Sequence, residues 1–274
     1  MTDAATDAHI VHELDEGVLR ITFNRPDVKN ALGSTDRLHI VELLERASED
    51  LHVRSVILTG SGGSFCSGAD LRSPREPLPR PDGAPDTAQG DVARGIRLYA
   101  QRLIVAIMDC EKPVIAAVDG VAAGMGAHIA FACDLVIASE RARFIEVFIR
   151  RALVPDAGGA YLLARMVGPH KAKQLMFFGD DVSAVEAEKL GLVNTVVAAD
   201  DLQATATQWA ARLAGGPTRT LALTKALVNR SLDVDRATAF EAEANAQDMN
   251  MMTHDGREGV ASFVERRAAD FRGW

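Results

Sequence analysis

PVIAAVDGVAAGMGAHIAFACD, residues Pro113–Asp134, is the stretch around which the chain can be read. Pro113 to Val118 has the unbroken apolar pattern of a buried strand. Asp119-Gly120 marks a turn, the small residues Val121 to Gly126 follow, and Ala127 to Cys133 reads as an apolar helix. A strand, a glycine turn and a helix in that order make an anion-binding corner. The first helical turn has N–H groups without internal partners, and the helix dipole adds partial positive charge there. Gly124 and Gly126 carry no side chain, so another molecule can approach the backbone closely. The corner suits a phosphate or an oxyanion formed during a reaction. Tight packing alone would also explain the glycines. The spacing is neither GxGxxG nor a P-loop, since no Gly-Lys-Ser/Thr occurs here.

Working outward, Leu51 to Leu58 (LHVRSVIL) reads as a second buried strand, and it too runs into a glycine-rich loop, TGSGGSFCSGADL from Thr59 to Leu71. Further pieces are NRPDVKNAL (Asn24–Leu32), KPVIAAVDGVAAGMGAHIAFACD (Lys112–Asp134), LVPDAGG (Leu153–Gly159), AEKLGLVN (Ala187–Asn194) and REGVASFVERR (Arg257–Arg267). With FCSGADL (Phe65–Leu71), these six pieces resemble the enoyl-CoA hydratase/isomerase, or crotonase, superfamily. They occur in that family's order and span nearly the whole chain.

Composition bounds the function without identifying it. A chain of 274 residues suffices for one large domain or a domain with an appendage. A net charge of −8 argues against general nucleic-acid binding. No apolar run reaches the ~18–20 residues of a membrane span, and the acidic start MTDAATDAHIVHELDEG lacks a signal-peptide core. Cys66, Cys110 and Cys133 lack paired spacing. They fit a reducing cytoplasm with neither disulfide nor zinc site.

Along the chain, Val18 to Phe23 alternates as a strand after a hairpin turn at Glu16-Gly17. Thr35 to Ser48 has helical spacing, with a cap expected at Ser34 or Thr35. The proline-rich segment Ser73–Gly90 can be neither helix nor inner strand. It reads as a solvated loop or, by the resemblance, as the variable wall of an acyl pocket. Helices are expected over Val92–Asp109, Ala160–Val167, Leu175–Gly179, Ser183–Leu190 and Leu202–Ala214, and strands over Leu135–Ala138 and Ala142–Ile145. Gly215-Gly216-Pro217 marks a boundary, after which Thr218 to Trp274 reads as helices throughout. The pattern is α/β followed by all-α. The resemblance implies more: a spiral of ββα repeats over residues 1–216, then a helical subdomain over 217–274 that builds a homotrimer or a dimer of trimers.

The resemblance also implies an acyl-CoA thioester as substrate, coenzyme A entering only as part of it, with no metal and no nucleic-acid or membrane partner. Two backbone N–H groups, of Ala69 and Met125, would hold the thioester oxygen and stabilise an enolate or tetrahedral oxyanion. Arg25, Val28, Lys29, Ser67, Asp70 and Leu71 match coenzyme-binding positions. Phe263 and Arg266 match tail positions that reach the adenine end, often of a neighbouring subunit. For Arg25, Lys29 and Arg266 the plain alternative is solvated surface charge.

The acid/base positions depart from the family pattern. Family hydratases add water with two glutamates. Here the first position is His128 and the second is Phe148, which can neither accept nor donate a proton. Glu146 lies two positions away and is not expected to reach the site. Asp156 occupies a turn where family members with other reactions carry an Asp as base or nucleophile; otherwise it would cap the helix beginning near Ala160. His128 lies in the first turn of a helix, where a neutral ring would shuttle a proton or bond the acyl group; otherwise it is a satisfied core histidine. These residues favour an isomerase, other lyase or hydrolase centred on Asp156. Hydration by a non-standard pair and a binding protein without catalysis are the alternatives.

Overall fold

The structure is a computed structural model that describes residues 8–72 and 80–274. Its elements in order are β1 (Ile10–Asp15), β2 (Val18–Phe23), α1 (Ser34–Glu49), β3 (Ser55–Gly60), α2 (Asp91–Gly95), a π-helical turn (Ile96–Gln101), α3 (Arg102–Asp109), β4 (Val114–Val118), β5 (Val121–Ala123), α4 (Met125–Ala132), β6 (Leu135–Ser139), β7 (Arg143–Ile145), α5 (Gly159–Phe178), β8 (Asp181–Ser183), α6 (Ala184–Lys189), β9 (Thr195–Val197), α7 (Leu202–Ala214), α8 (Thr218–Arg230), α9 (Arg236–Met251) and α10 (His254–Glu265).

The buried strands set the architecture. β3 and β4 are apolar on both faces because helices cover both, as parallel strands require. They belong to a six-stranded sheet ordered β1-β2-β3-β4-β6-β9, parallel except for the β1–β2 hairpin. A second sheet, β5-β7-β8, pairs β5 with β7 in parallel. β4 and β6 each run through a turn into a short strand of the second sheet and then toward a helix. Thus β4–β5–α4 and β6–β7–α5 are successive ββα units, the crotonase-type spiral. One face of the large sheet packs with Leu44 of α1, Leu103 and Ile107 of α3 and Ile129 of α4 in the main core. On the other, Ile57, Ile115 and Ile137 meet Leu202, Ala206 and Ala210 of α7.

Several boundaries differ from the sequence reading. Helix α1 is capped by Gly33, whose N–H donates to the Asp36 carboxylate at 2.7 Å, in place of Ser34 or Thr35. Leu51 and His52 form an exposed turn, so β3 begins at Ser55. Helix α4 starts at Met125, two residues before the apolar run. α5 continues to Phe178 across a kink at Gly168 (φ 75°, ψ 160°), which lets Pro169 follow without a helical clash. Of the proline-rich segment, residues 73–79 lie outside the described residues, and 80–90 are turns and irregular backbone.

After Pro217, α8, α9 and α10 pack on one another. α8 is tied back by Lys225, which donates to Asp134 at 2.8 Å, and by Asn229, which donates to the Met108 carbonyl at 2.9 Å. The C-terminal tail folds onto α10 through the buried Asp255, which accepts from the N–H groups of Arg272 and Gly273. Phe240, Phe263 and Val264 on these helices, and Met252 at the end of α9, are exposed. No helix among the described residues is long and apolar enough to cross a membrane.

Candidate active site

The site begins with backbone against backbone. The segment Cys66–Asp70 lies between two others. On one side the Leu32 N–H donates to the Gly68 carbonyl at 2.9 Å and the Asp70 N–H to the Leu32 carbonyl at 3.0 Å. On the other, the Cys66 N–H donates to Val121 and the Ala123 N–H to Cys66, both at 2.9 Å. Asn30, fully buried with φ 58°, anchors the assembly. Its amide donates to the carbonyls of Ser61 (2.9 Å) and Ser64 (2.7 Å) and accepts from the Arg25 N–H (2.8 Å).

These contacts hold the loop that carries Ala69 against the start of α4, where Met125 lies. A Cβ on Gly68 would sit 3.5 Å from the Met125 nitrogen, and one on Gly126 only 2.1 Å from the Cys66 carbonyl oxygen. Side chains at either position would force the loops apart. Gly124, at φ 53° and ψ −123°, makes the turn into α4 and donates its N–H to the Ile145 carbonyl at 2.8 Å. Neither Ala69 nor Met125 donates its N–H to a protein acceptor outside regular ladders among the described residues. Met125 is the first residue of its helix, so its N–H has no intrahelical acceptor. Two N–H groups converging on one spot can hold a developing oxyanion. Cys66 beside them is buried, and burial pushes its thiol up to about 12, which keeps it inert.

The expected coenzyme-binding residues flank this corner. The Ser67 hydroxyl donates to the Val28 carbonyl at 3.1 Å, and the Ser67 N–H donates to the Lys29 carbonyl at 2.9 Å. Lys29 and Leu71 are exposed. Arg25 differs from a free surface cation: its guanidinium donates to the Asp70 carboxylate at 3.0 Å and the Ala31 carbonyl at 3.1 Å. Phe263, 84% exposed, and Arg266 lie at the far end of α10 and share no hydrogen bond with this group among the described residues.

His128 is fully buried on α4, three residues past Met125. It is only half satisfied. Nε2 faces the Glu146 carboxylate at 3.0 and 3.1 Å, while Nδ1 is the one buried side-chain nitrogen or oxygen without a partner among the described residues. Phe148 stacks on the ring, with centroids 5.4 Å apart and planes 11° from parallel. Glu146 therefore does reach the site, contrary to the sequence reading. Two parallel spacings, one at the end of β7 and one on α4, bring the pair together. Phe144 and Glu146 lie two residues apart on one face, and Phe131 and His128 lie three apart on α4. Phe144 stacks on Phe131 (5.5 Å), and one step along, Glu146 meets His128. That paired periodicity was available in the sequence.

Asp156 lies in the turn before α5. It does not cap that helix: Gly158 is the N-cap, with no side-chain cap bond. The half-buried carboxyl is pushed above the ordinary carboxylate range by burial, while the His128 ring (when protonated) and Arg37 pull it back. Arg37 was not singled out by the sequence. It projects from α1, donates to the Gly33 carbonyl and the Ser34 hydroxyl (both 3.0 Å), and lies 5.8 Å above the ring of Tyr99 on the π-helical turn. No group of three or more metal-binding side chains occurs among the described residues.

Comparison with known proteins follows the same lines. The family profile described as enoyl-CoA hydratase/isomerase matches residues 13–273. A Rhodobacter capsulatus protein named probable enoyl-CoA hydratase is 38% identical over 265 residues, covering 96% of this chain and 98% of that one. The 1,2-epoxyphenylacetyl-CoA isomerase of Escherichia coli is 34% identical, covering 96% and 98%. The crystal structure of an enoyl-CoA hydratase/isomerase from Cupriavidus metallidurans superposes with a TM-score of 0.86 at 36% identity, covering 97% of each chain.

Proposed function

The chain belongs to the enoyl-CoA hydratase/isomerase family, and from that premise we propose that it moves a proton along an unsaturated acyl-CoA, with Asp156 as the base. The observation that carries this reading is the pairing of losses and gains at the acid/base positions. Phe148 fills the second hydratase position with an apolar ring, while Asp156 offers an uncapped, half-buried carboxyl of raised proton affinity. A base poised closer to neutrality than an ordinary carboxylate is suited to removing a carbon-bound proton.

In a 3-enoyl thioester, the Asp156 carboxylate takes a proton from the α carbon. The C–H electron pair moves into the thioester, whose oxygen becomes the enolate oxygen between the Ala69 and Met125 N–H groups. The same carboxyl returns the proton at the γ carbon, leaving the 2-enoyl thioester and an unchanged enzyme. Coenzyme A would enter as part of the substrate, beside Val28, Lys29, Ser67, Asp70 and Leu71, with Arg25 holding Asp70 in place; no further cofactor is needed. The exposed apolar residues of α8–α10 support an assembly role for residues 217–274, with a homotrimer or dimer of trimers bringing Phe263 and Arg266 to a neighbouring site.

A second reading has its own observation. Glu146 keeps one carboxylate against His128, so hydration by a non-standard pair retains a basis. Parallel assays with trans-3-hexenoyl-CoA and crotonyl-CoA separate the two. Isomerisation of the first, far faster than hydration of the second, is expected. Fast crotonyl-CoA hydration without isomerisation would overturn the Asp156 reading, and no turnover or binding of either would overturn both.

A further inference from the structure

The Glu146–His128 pair is more than a replaced glutamate. Glu146 is 4% exposed and His128 is 0% exposed, and the carboxylate places both oxygens on Nε2. The ring cannot turn away. Phe148 covers one face, and the Gly159 backbone crowds the ring so closely that a Cβ there would fall 2.1 Å from Cε1 and 2.2 Å from Nε2. Nδ1 is thereby shut off from water with no protein partner. An orphaned buried polar atom is costly, and a ring clamped so as to keep one calls for a reason.

We infer that Glu146 is a positioning residue that fixes His128 in the tautomer protonated at Nε2, so that Nδ1 presents a bare lone pair to the proton carried by Asp156. This rests on the acyl-CoA reading above. A carboxylate only accepts, so Nε2 must donate, and in the neutral ring Nδ1 is then the acceptor. The groups around the ring leave few sources for its hydrogen bond. Phe148, stacked on the ring, is apolar, and Gly159, crowding its edge, has no side chain. Asp156 belongs to the turn that lies against this ring: Gly159, which crowds the imidazole, donates its N–H to the Asp156 carbonyl at 3.1 Å. Once Asp156 has taken the proton from the α carbon, its O–H donates to Nδ1. The proton stays in the pocket until it returns to the γ carbon, and the imidazole is never consumed.

The test combines spectroscopy with isotope exchange. In protein labelled with ¹⁵N-histidine, His128 at neutral pH should show a protonated Nε2 and a bare Nδ1. A protonated Nδ1 would overturn the inference. Glu146→Gln preserves shape but removes the charge that selects the tautomer. It should give a mixture of tautomers and lower kcat on trans-3-hexenoyl-CoA by roughly 10²-fold, the low end for an acid–base partner, with KM little changed. In D2O it should also incorporate more solvent deuterium into product, a change that loosened packing alone would not predict at native melting temperature. Unchanged kcat and deuterium content would overturn the inference. If Glu146→Gln fails to fold, the wild-type nitrogen spectrum still decides the tautomer. If the wild type turns over no enoyl-CoA, the acyl-CoA reading falls separately.

Discussion

Gly126→Ala isolates the backbone approach on which the proposed oxyanion site depends. The added methyl would fall 2.1 Å from the Cys66 carbonyl oxygen and 2.8 Å from its carbon, where ordinary contact begins at 3.4 Å. The gap must open by about 1.3 Å. No flexible side chain can give way, because Cys66 is held by backbone bonds to Val121 and Ala123 at 2.9 Å. The Ala69 and Met125 donors therefore separate, and both cannot stay ~2.7–3.1 Å from one oxygen. Losing one such donor costs about 2.7–4 kcal/mol at the transition state, or about 10²–10³ in kcat. Overpacking should cost a further ~1–3 kcal/mol of fold stability. Steady-state turnover of trans-3-hexenoyl-CoA, read beside a thermal melt and calorimetry with butyryl-CoA, measures these effects separately. A variant with near-native kcat and an unchanged melt would refute the argument, because the two loops would then not need this contact to hold the oxygen.

Asp156→Asn keeps the shape but cannot take a proton, so turnover should fall by ~10²–10⁴-fold while butyryl-CoA still binds by calorimetry. The same variant tests linkage. The Asp156 pKa is raised on folding, so ionising it costs stability; that cost is absent below the ordinary value of 3.8 and full above the folded value. Asn should therefore melt higher than wild type at neutral pH, with the difference closing in acid. Arg37 favours the ionised carboxyl, so Arg37→Leu should move the acid limb of kcat/KM to higher pH; a limb that stays or moves down would contradict the assignment. Light scattering at micromolar concentration should give a trimer or hexamer, and Phe263→Asp with Val264→Asp should shift it toward monomer.

The parts of the fold that were legible are those with strong periodicity. α7 falls on its expected bounds, and the glycine-flanked ends of β3 and β4 are where two buried runs stop. The short strands β5, β8 and β9 escaped because pairing with distant strands, more than any pattern within their three residues, decides them. At the site, the expected donor positions Ala69 and Met125 came from the family resemblance, and the glycines beside the strand ends agree with them. Glu146 was misjudged because counting positions against a motif ignores side-chain direction. The backbone at Glu146 (φ −80°, ψ 68°) leaves β7 for a 3₁₀ turn at Val147–Arg151, yet the side chain keeps the inward face of Phe144. Arg37 was illegible for a different reason: its approach to Asp156 joins segments about 120 residues apart, through no local pattern.

The clamp around Ala69 and Met125 is made of main-chain bonds, bridging Leu32 to Ala69 and Cys66 to Ala122 and pairing β5 with β7. Main-chain bonds do not depend on what is written at positions 128, 146, 148 or 156. On the proposed reading, the scaffold that would receive charge is thus decoupled from the side chains that would move protons, and the second could be rewritten without rebuilding the first. A library randomised at those four positions would vary reaction outcome over a fixed electrophile-activating frame. Gly126 would be an invariant column because a side chain there meets the Cys66 backbone, which cannot withdraw, and Gly124 would be another because its φ of 53° strains any side chain, whereas Gly159 would be free to vary with position 128, whose side chain it faces.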